Sequence, residues 1–173
     1  EDFLNKKWKW SRPMLISPPK QRHKNWVLFP EKINGKFVVL HSISPKVEVA
    51  YIDSLDNFES KGYVIRSWVG ARVDLPEREA WDTWLRSPGP PPIKTDQGWV
   101  LLYHAIDKNE SHKYKLGALL LDLENPEIIL ARSPGPILHS ENWYENDWKP
   151  GIVYACGAVV KGDDLMVYYG GGD

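Results

Sequence analysis

An aspartate between two tryptophans, a lysine behind a run of prolines and a tyrosine–histidine pair are the residues of this chain best placed to do chemistry. Asp82 sits in Trp81-Asp82-Thr83-Trp84, an acceptor beside two flat stacking surfaces. Lys94 follows Pro90-Pro91-Pro92-Ile93, and Arg86 lies just upstream as a second cation. Tyr103-His104 closes an apolar run, and Asp173 follows three glycines that let a backbone come close to a ligand. The cations could hold an anion or a sugar hydroxyl. A neutral histidine donates to a hydroxyl and a protonated one to an anion. Each residue also has a plainer reading: a solvated turn lysine, a hydrogen-bonded histidine inside a sheet, an aspartate capping a short helical turn.

Three hairpins must position these groups. Phe29 to Lys36 runs through Asn34-Gly35 into Phe37-Val38-Val39-Leu40-His41. Pro92 to Gly98 runs into Trp99-Val100-Leu101-Leu102-Tyr103-His104, and Ala158 to Asp164 into Leu165-Met166-Val167-Tyr168-Tyr169. The offsets are 62 residues, Phe37 to Trp99, and 66 residues, Trp99 to Leu165. Asn-Gly is the strongest two-residue hairpin signal, because a type I′ turn needs positive φ at both central residues. The second strands are rich in β-branched and aromatic residues, as strands buried on both faces are. Third strands are expected over Val47–Ile52 and Tyr114–Leu123, and fourth strands ending at Arg66-Ser67 and Arg132-Ser133. Four strands per repeat is one blade of a β-propeller, so an all-β propeller is predicted.

The expected organisation is a single, partial propeller domain over residues 1–173. It has an outer strand of a preceding blade at 1–18, blades at 25–67 and 90–133, and the inner strands of a further blade at 151–173. Such a set leaves sheet edges open. The chain is therefore expected to be a fragment or one part of an assembly, and its first residue, Glu1, agrees with an excised product. Self-association through the open blade edges is a further expectation. Residues 68–92 are read as a long connection with a short helical turn at Arg78–Leu85, placing Trp81, Trp84 and Leu85 on one side. A second long connection, Pro134 to Gly151, carries His139, Glu141, Trp143, Tyr144, Glu145 and Trp148. Long ordered connections are disproportionately functional.

Composition narrows the partners. The net charge of −1 gives no reason to expect nucleic acid or an anionic membrane surface. No apolar run approaches the ~20 residues that span a bilayer. No histidine spacing suited to a catalytic metal appears. The single cysteine, Cys156, excludes an internal disulfide and reads as a small buried hydrophobe in an apolar strand. It suits a secreted single-thiol protein as well as an intracellular one, with the cytoplasm slightly favoured. Nine tryptophans and eight tyrosines exceed what wedges between blades need, and suit sugar binding.

Several segments resemble glycoside hydrolase family 130, the β-mannoside phosphorylases and related mannosidases. They are Leu28-Phe29-Pro30-Glu31-Lys32-Ile33-Asn34-Gly35-Lys36, Leu40-His41-Ser42-Ile43-Ser44-Pro45, Trp81-Asp82-Thr83-Trp84, Gly89-Pro90-Pro91-Pro92-Ile93-Lys94-Thr95, Gly98-Trp99-Val100-Leu101-Leu102-Tyr103-His104 and Tyr168-Tyr169-Gly170-Gly171-Gly172-Asp173. The resemblance covers nearly the whole chain. It implies a five-bladed propeller with a sugar site at one mouth of its channel, acting on mannose-containing oligosaccharides by phosphorolysis or hydrolysis with inversion. No cofactor is implied; inorganic phosphate is the co-substrate of a phosphorylase. The family's general acid is an aspartate whose segment would precede Glu1, so no catalytic residue is carried over and the chain alone is expected to be inactive.

The resemblance makes Asp82, Trp84, Tyr103, Asp173 and His41 the expected sugar contacts, and Lys94, His104 and Arg86 the expected phosphate or anion contacts. Glu31 is a weaker candidate. Asp82, Asp107 and Asp173 are the acidic candidates for the base of an inverting hydrolase, which needs two carboxyl groups roughly 6.5–9.5 Å apart. In many phosphorylases of the family an arginine follows the histidine of the Leu-His segment. Ser42 stands there in this chain, which leans slightly toward a hydrolase or a divergent phosphorylase. The rival expectation is a non-catalytic carbohydrate-binding or self-assembling propeller fragment.

Overall fold

The computed structural model describes residues 4–7, 10, 24–43, 46–55, 64–67 and 81–172. Strand 1–18 of the expected organisation, the connection at 68–80 and Asp173 lie outside the described residues, as do the side chains of residues 41–48 and 64–67.

Among the described residues, eleven strands follow one another: β1 Lys24–Leu28, β2 Phe37–Ile43, β3 Lys46–Ile52, β4 Val64–Ser67, β5 Trp84–Pro88, β6 Ile93–Thr95, β7 Gly98–Ile106, β8 Lys115–Leu121, β9 Ile129–Arg132, β10 Val153–Lys161 and β11 Asp164–Gly171. They form three antiparallel sheets. The first has the order β1-β2-β3-β4, the second β5-β7-β8-β9 with β6 also on β7, and the third is the β10-β11 hairpin. The repeat in the sequence is a repeat of register. The hairpins close with Ile33 opposite Lys36, Thr95 opposite Gly98 and Lys161 opposite Asp164. Asn34 and Gly35 both have positive φ, 50° and 78°, as an Asn-Gly hairpin turn requires.

Alternation along the strands accounts for the stacking of sheets. On β7, Trp99, Leu101, Tyr103 and Ala105 point one way and join Phe29, Val38, Leu40 and Val49 of the first sheet in one core. Leu102 points the other way and packs with Leu116 of β8 and Ala155 of the hairpin. A strand with a period of two and apolar residues on both faces belongs to a sheet packed between two others. Phe29 meets Trp99 edge to face at 5.2 Å across the first interface. Each such leucine or phenylalanine contributes roughly 1.5–3 kcal/mol by leaving water. The result is a partial propeller.

The helical turn expected at Arg78–Leu85 is not formed by its described part. Trp81 to Thr83 make a turn, and Trp84 opens β5, paired with Ile106 of β7. Trp81 and Leu85 are buried but Trp84 is 44% exposed, so the three do not share a face. The second sheet therefore begins at Trp84 and not at residue 90. β5 lies at the edge of the sheet, where Pro88 costs no ladder bond. Beyond it the prolines lack donors and only Gly89 bonds back, its N–H to the Leu102 carbonyl at 2.7 Å.

Gly117 of β8 is tightly packed against two aromatic rings. A Cβ there would stand 2.6 Å from Tyr103 Cζ and 2.7 Å from Trp81 Cζ2. Both rings are held in the core, so Gly117→Ala is expected to cost at least about 1–3 kcal/mol. A thermal or urea unfolding midpoint reads the loss, and a midpoint equal to wild type would contradict this packing.

Candidate functional site

β1, the end of β5 with the turn after it, and β10 line a groove of about 350 Å³. Its walls are Asn25 to Leu28, Pro88, Gly89, Pro91 and Tyr154 to Cys156. Asn25 has a φ of 58°, within a stretch where β1 shifts register against β2. On β10 a similar irregularity falls between Ala155 and Gly157 and turns Cys156 outward. Cys156 is exposed, not the buried hydrophobe expected from its apolar strand.

His104 forms the support behind this groove. It is fully buried, and its ring lies flat on Tyr154, 4.0 Å between centroids at 7°. The Ala155 N–H donates to Nε2 at 2.9 Å, so Nε2 carries no proton and the neutral ring holds its proton on Nδ1. Nδ1 is 3.2 Å from Ser87 Oγ, which is 3.1 Å from Tyr154 Oη. Burial pulls the imidazole pKa down to about 4, against backbone hydrogen bonds to Pro88 and Ser87 that raise it. In this arrangement His104 is uncharged at neutral pH with both nitrogens used inside the fold. The expected anion contact is replaced by a clamp between the second sheet and the hairpin.

Asp82 and Tyr103 do come together, but in the core. Both are fully buried, and the Tyr103 hydroxyl donates to Asp82 Oδ2 at 2.6 Å. Arg132 of β9 pairs with the same oxygen, its side chain 8% exposed. Trp81 stacks on Tyr103 at 5.9 Å. Burial pushes the Tyr103 phenol well above its usual range. Asp82 and Tyr103, expected as sugar contacts, thus tie the start of β5 to β7 and β9.

Lys94 lies at the other end of the second sheet. It pairs with Trp99, five residues before His104 on β7, a separation of about 17 Å along a strand. Its Nζ is 2.5 Å from Glu31 Oε2, both side chains half exposed, and 5.6 Å from the Trp99 ring. The bridge joins the first and second sheets and is worth about 0–1 kcal/mol at this exposure. Arg86 donates from Nε to the Tyr114 hydroxyl at 3.2 Å, on a different surface. Lys94, His104 and Arg86 therefore do not form one anion site. Asp107 accepts the Asn109 N–H at 2.8 Å and faces Lys115 at 3.9 Å, a turn-capping role. Among the described residues no group of three or more His, Cys, Asp and Glu could hold a metal. No helix among them is long and apolar enough to cross a membrane.

A cluster is built on the second long connection, whose residues carried no assigned role from sequence. Glu145 is fully buried in a one-turn 3-10 helix, Trp143–Glu145, and bonds Tyr169 of β11 at 2.6 Å. Burial raises its pKa, but the Tyr169 hydroxyl, the Asn142 and Glu141 backbone N–H groups and the Asn142 side chain outweigh that and hold it near 2. Asn142-x-x-Glu145 is the capping pattern that would have pointed to this turn.

The chain is similar to proteins of named activity. Residues 14–173 match the family described as β-1,4-mannooligosaccharide phosphorylase. A 1,2-β-oligomannan phosphorylase of Thermoanaerobacter sp. (strain X514) is 42% identical over 169 residues, 95% of this chain and 51% of the relative. A β-1,2-mannobiose phosphorylase of the same organism is 37% identical, over 97% of this chain and 51% of that protein. The structure of a β-1,2-mannobiose phosphorylase from Listeria innocua in complex with β-1,2-mannobiose superposes with a TM-score of 0.72 at 35% identity, covering 91% of this chain and 43% of that one. The chain spans about half the length of the curated relatives it matches.

Proposed function

Because the chain belongs to glycoside hydrolase family 130, the β-1,4-mannooligosaccharide phosphorylase family, we propose that it is part of a five-bladed propeller enzyme that cleaves β-linked mannosides with inorganic phosphate. The observation that carries this is its 42% identity over 169 residues to a 1,2-β-oligomannan phosphorylase. The phosphorylase relatives weigh more than Ser42, a single position. Three of them act by name on β-1,2 linkages, which favours β-1,2-mannosides over the β-1,4 linkage of the family description.

In this reading the sugar lies at the mouth of the groove between β1, β5 and β10, with Trp26 and Tyr154 in its walls. A general acid aspartate outside this chain protonates the glycosidic oxygen. Phosphate attacks the anomeric carbon from the opposite face, the glycosidic bond breaks, and configuration inverts. Lys94, at the other end of the second sheet and paired with Glu31, stays as a proposed anion contact on the resemblance alone. Trp84, His41 and Asp173 stay as proposed sugar contacts on the resemblance.

The polypeptide carrying this segment is expected to release mannose 1-phosphate from β-1,2-mannobiose only when phosphate is present, and more slowly from β-1,4-mannobiose. Release of free mannose at the same rate without phosphate would mark a hydrolase instead. One observation favours a second reading, a self-associating fragment: Val160, Leu165, Met166 and Tyr168 of the hairpin are 42–56% exposed. Light scattering at rising concentration checks it, and a monomer throughout would remove it.

A further inference from the structure

The Glu145 cluster fixes the direction of every hydrogen bond in a short relay. Glu145 Oε2 accepts the Glu141 and Asn142 N–H groups at 2.6 and 2.7 Å. Oε1 accepts the Tyr169 hydroxyl at 2.6 Å and the Asn142 side-chain amide at 3.3 Å. Four donors around one carboxyl require it to be ionised, and an ionised carboxylate only accepts. Tyr169 therefore spends its one proton on Glu145. Its oxygen lies 3.0 Å from Tyr144 Oη and can only accept there, so the Tyr144 hydroxyl points its proton inward. What Tyr144 offers to solvent is a bare acceptor, polarised by the chain behind it.

That acceptor stands beside an open aromatic face. Tyr144 is 45% exposed and Trp143 78%, their rings 5.9 Å apart at 87°. Tyr169 lies opposite Ala155, next to the groove residues Tyr154 and Cys156. The turn is locked to the end of β11 by the Lys149 N–H on the Gly172 carbonyl at 2.8 Å. An indole face with one acceptor of set direction suits a pyranose, whose C–H face stacks while one hydroxyl donates.

We propose that Glu145 is a positioning residue that, through Tyr169, holds Tyr144 Oη as an acceptor for one hydroxyl of a mannoside stacked on Trp143. The inference rests on the mannoside reading above. Glu145→Gln keeps an oxygen for the two backbone N–H groups and turns its amide toward Tyr169. The relay then reverses, and Tyr144 donates outward.

The test uses the 173-residue chain with β-1,2-mannobiose and its mono-deoxyfluoro analogues, in which fluorine cannot donate, read by calorimetric titration. Wild type is expected to bind one analogue about five- to tenfold more weakly than the parent, the loss of one hydrogen bond. Tyr144→Phe is expected to weaken the parent by a similar factor and to lose that discrimination. Glu145→Gln is expected to restore the fluorinated analogue relative to the parent, which a purely structural role would not do. If wild type binds the disaccharide and Tyr144→Phe binds every member of the panel with the wild-type affinity, the inference falls while the mannoside reading stands. That variant removes only a half-exposed hydroxyl and does not depend on the fate of Glu145→Gln. If wild type binds no mannoside, the mannoside reading falls, and this inference with it.

Discussion

Asp82→Ala is expected to destabilise the chain by about 3–5 kcal/mol, the usual cost of removing one partner of a buried ion pair. Asp82 is fully buried, and its Oδ2 takes both the Tyr103 hydroxyl and the Arg132 guanidinium. Without the carboxylate a guanidinium in an 8% exposed side chain loses its counter-charge, and a buried phenol loses its acceptor. A urea titration reads the loss directly. The double variant Asp82→Ala with Arg132→Met, which removes both charges, is expected to recover a large part of it. A single-variant loss under about 1 kcal/mol, the range of exposed ion pairs, would mean that Asp82 is not a core residue and would return it to the list of sugar contacts.

The second large effect is a pH dependence. Burial lowers the His104 pKa from its ordinary 6.5 to about 4 in the folded chain. As pH falls below 6.5 the unfolded chain takes up a proton that the folded chain refuses. Its contribution is complete above pH 6.5, declines between 6.5 and about 4, and is gone below that. The size is about 3 kcal/mol at one pKa unit per 1.36 kcal/mol. Stability measured by urea from pH 7.5 to 4 should therefore fall more steeply for wild type than for His104→Gln, which has no proton to gain. Parallel curves would show that the imidazole is not held neutral against Ala155. Carboxylates such as Glu110, held near pKa 2 by hydrogen bonds from Lys113 and Lys115, lose their contribution lower, as pH falls from about 4.5 toward 2. They add little to the slope above pH 5, where their contribution is complete.

The hairpins were legible because their information is local. Asn34-Gly35 carries its own turn geometry, and an apolar run such as Val100-Leu101-Leu102 needs neighbours on both sides. β5 was hidden because Trp81, Trp84 and Leu85 imitate the spacing of a helical face. Pairing with β7, some twenty residues on, decides the matter. The site was legible as a neighbourhood only. Asp82 and Tyr103 do meet, but what buries them is Arg132, 50 residues downstream of Asp82. His104 is defined by a backbone N–H 51 residues away, which no spacing rule reaches. Cys156 sits among apolar neighbours, but alternation from buried Val153 and Ala155 puts it on the outward face, which composition alone does not show.

The most direct test of placing this chain within a phosphorolytic propeller is a pair of assays for mannose 1-phosphate from β-1,2-mannobiose and inorganic phosphate. One uses the 173-residue chain, the other the same chain joined to the coding sequence that precedes it. No turnover by the first and phosphate-dependent turnover by the second is the predicted result. Full turnover by the chain alone would place the proton donor among these residues, and none by either would contradict the assignment.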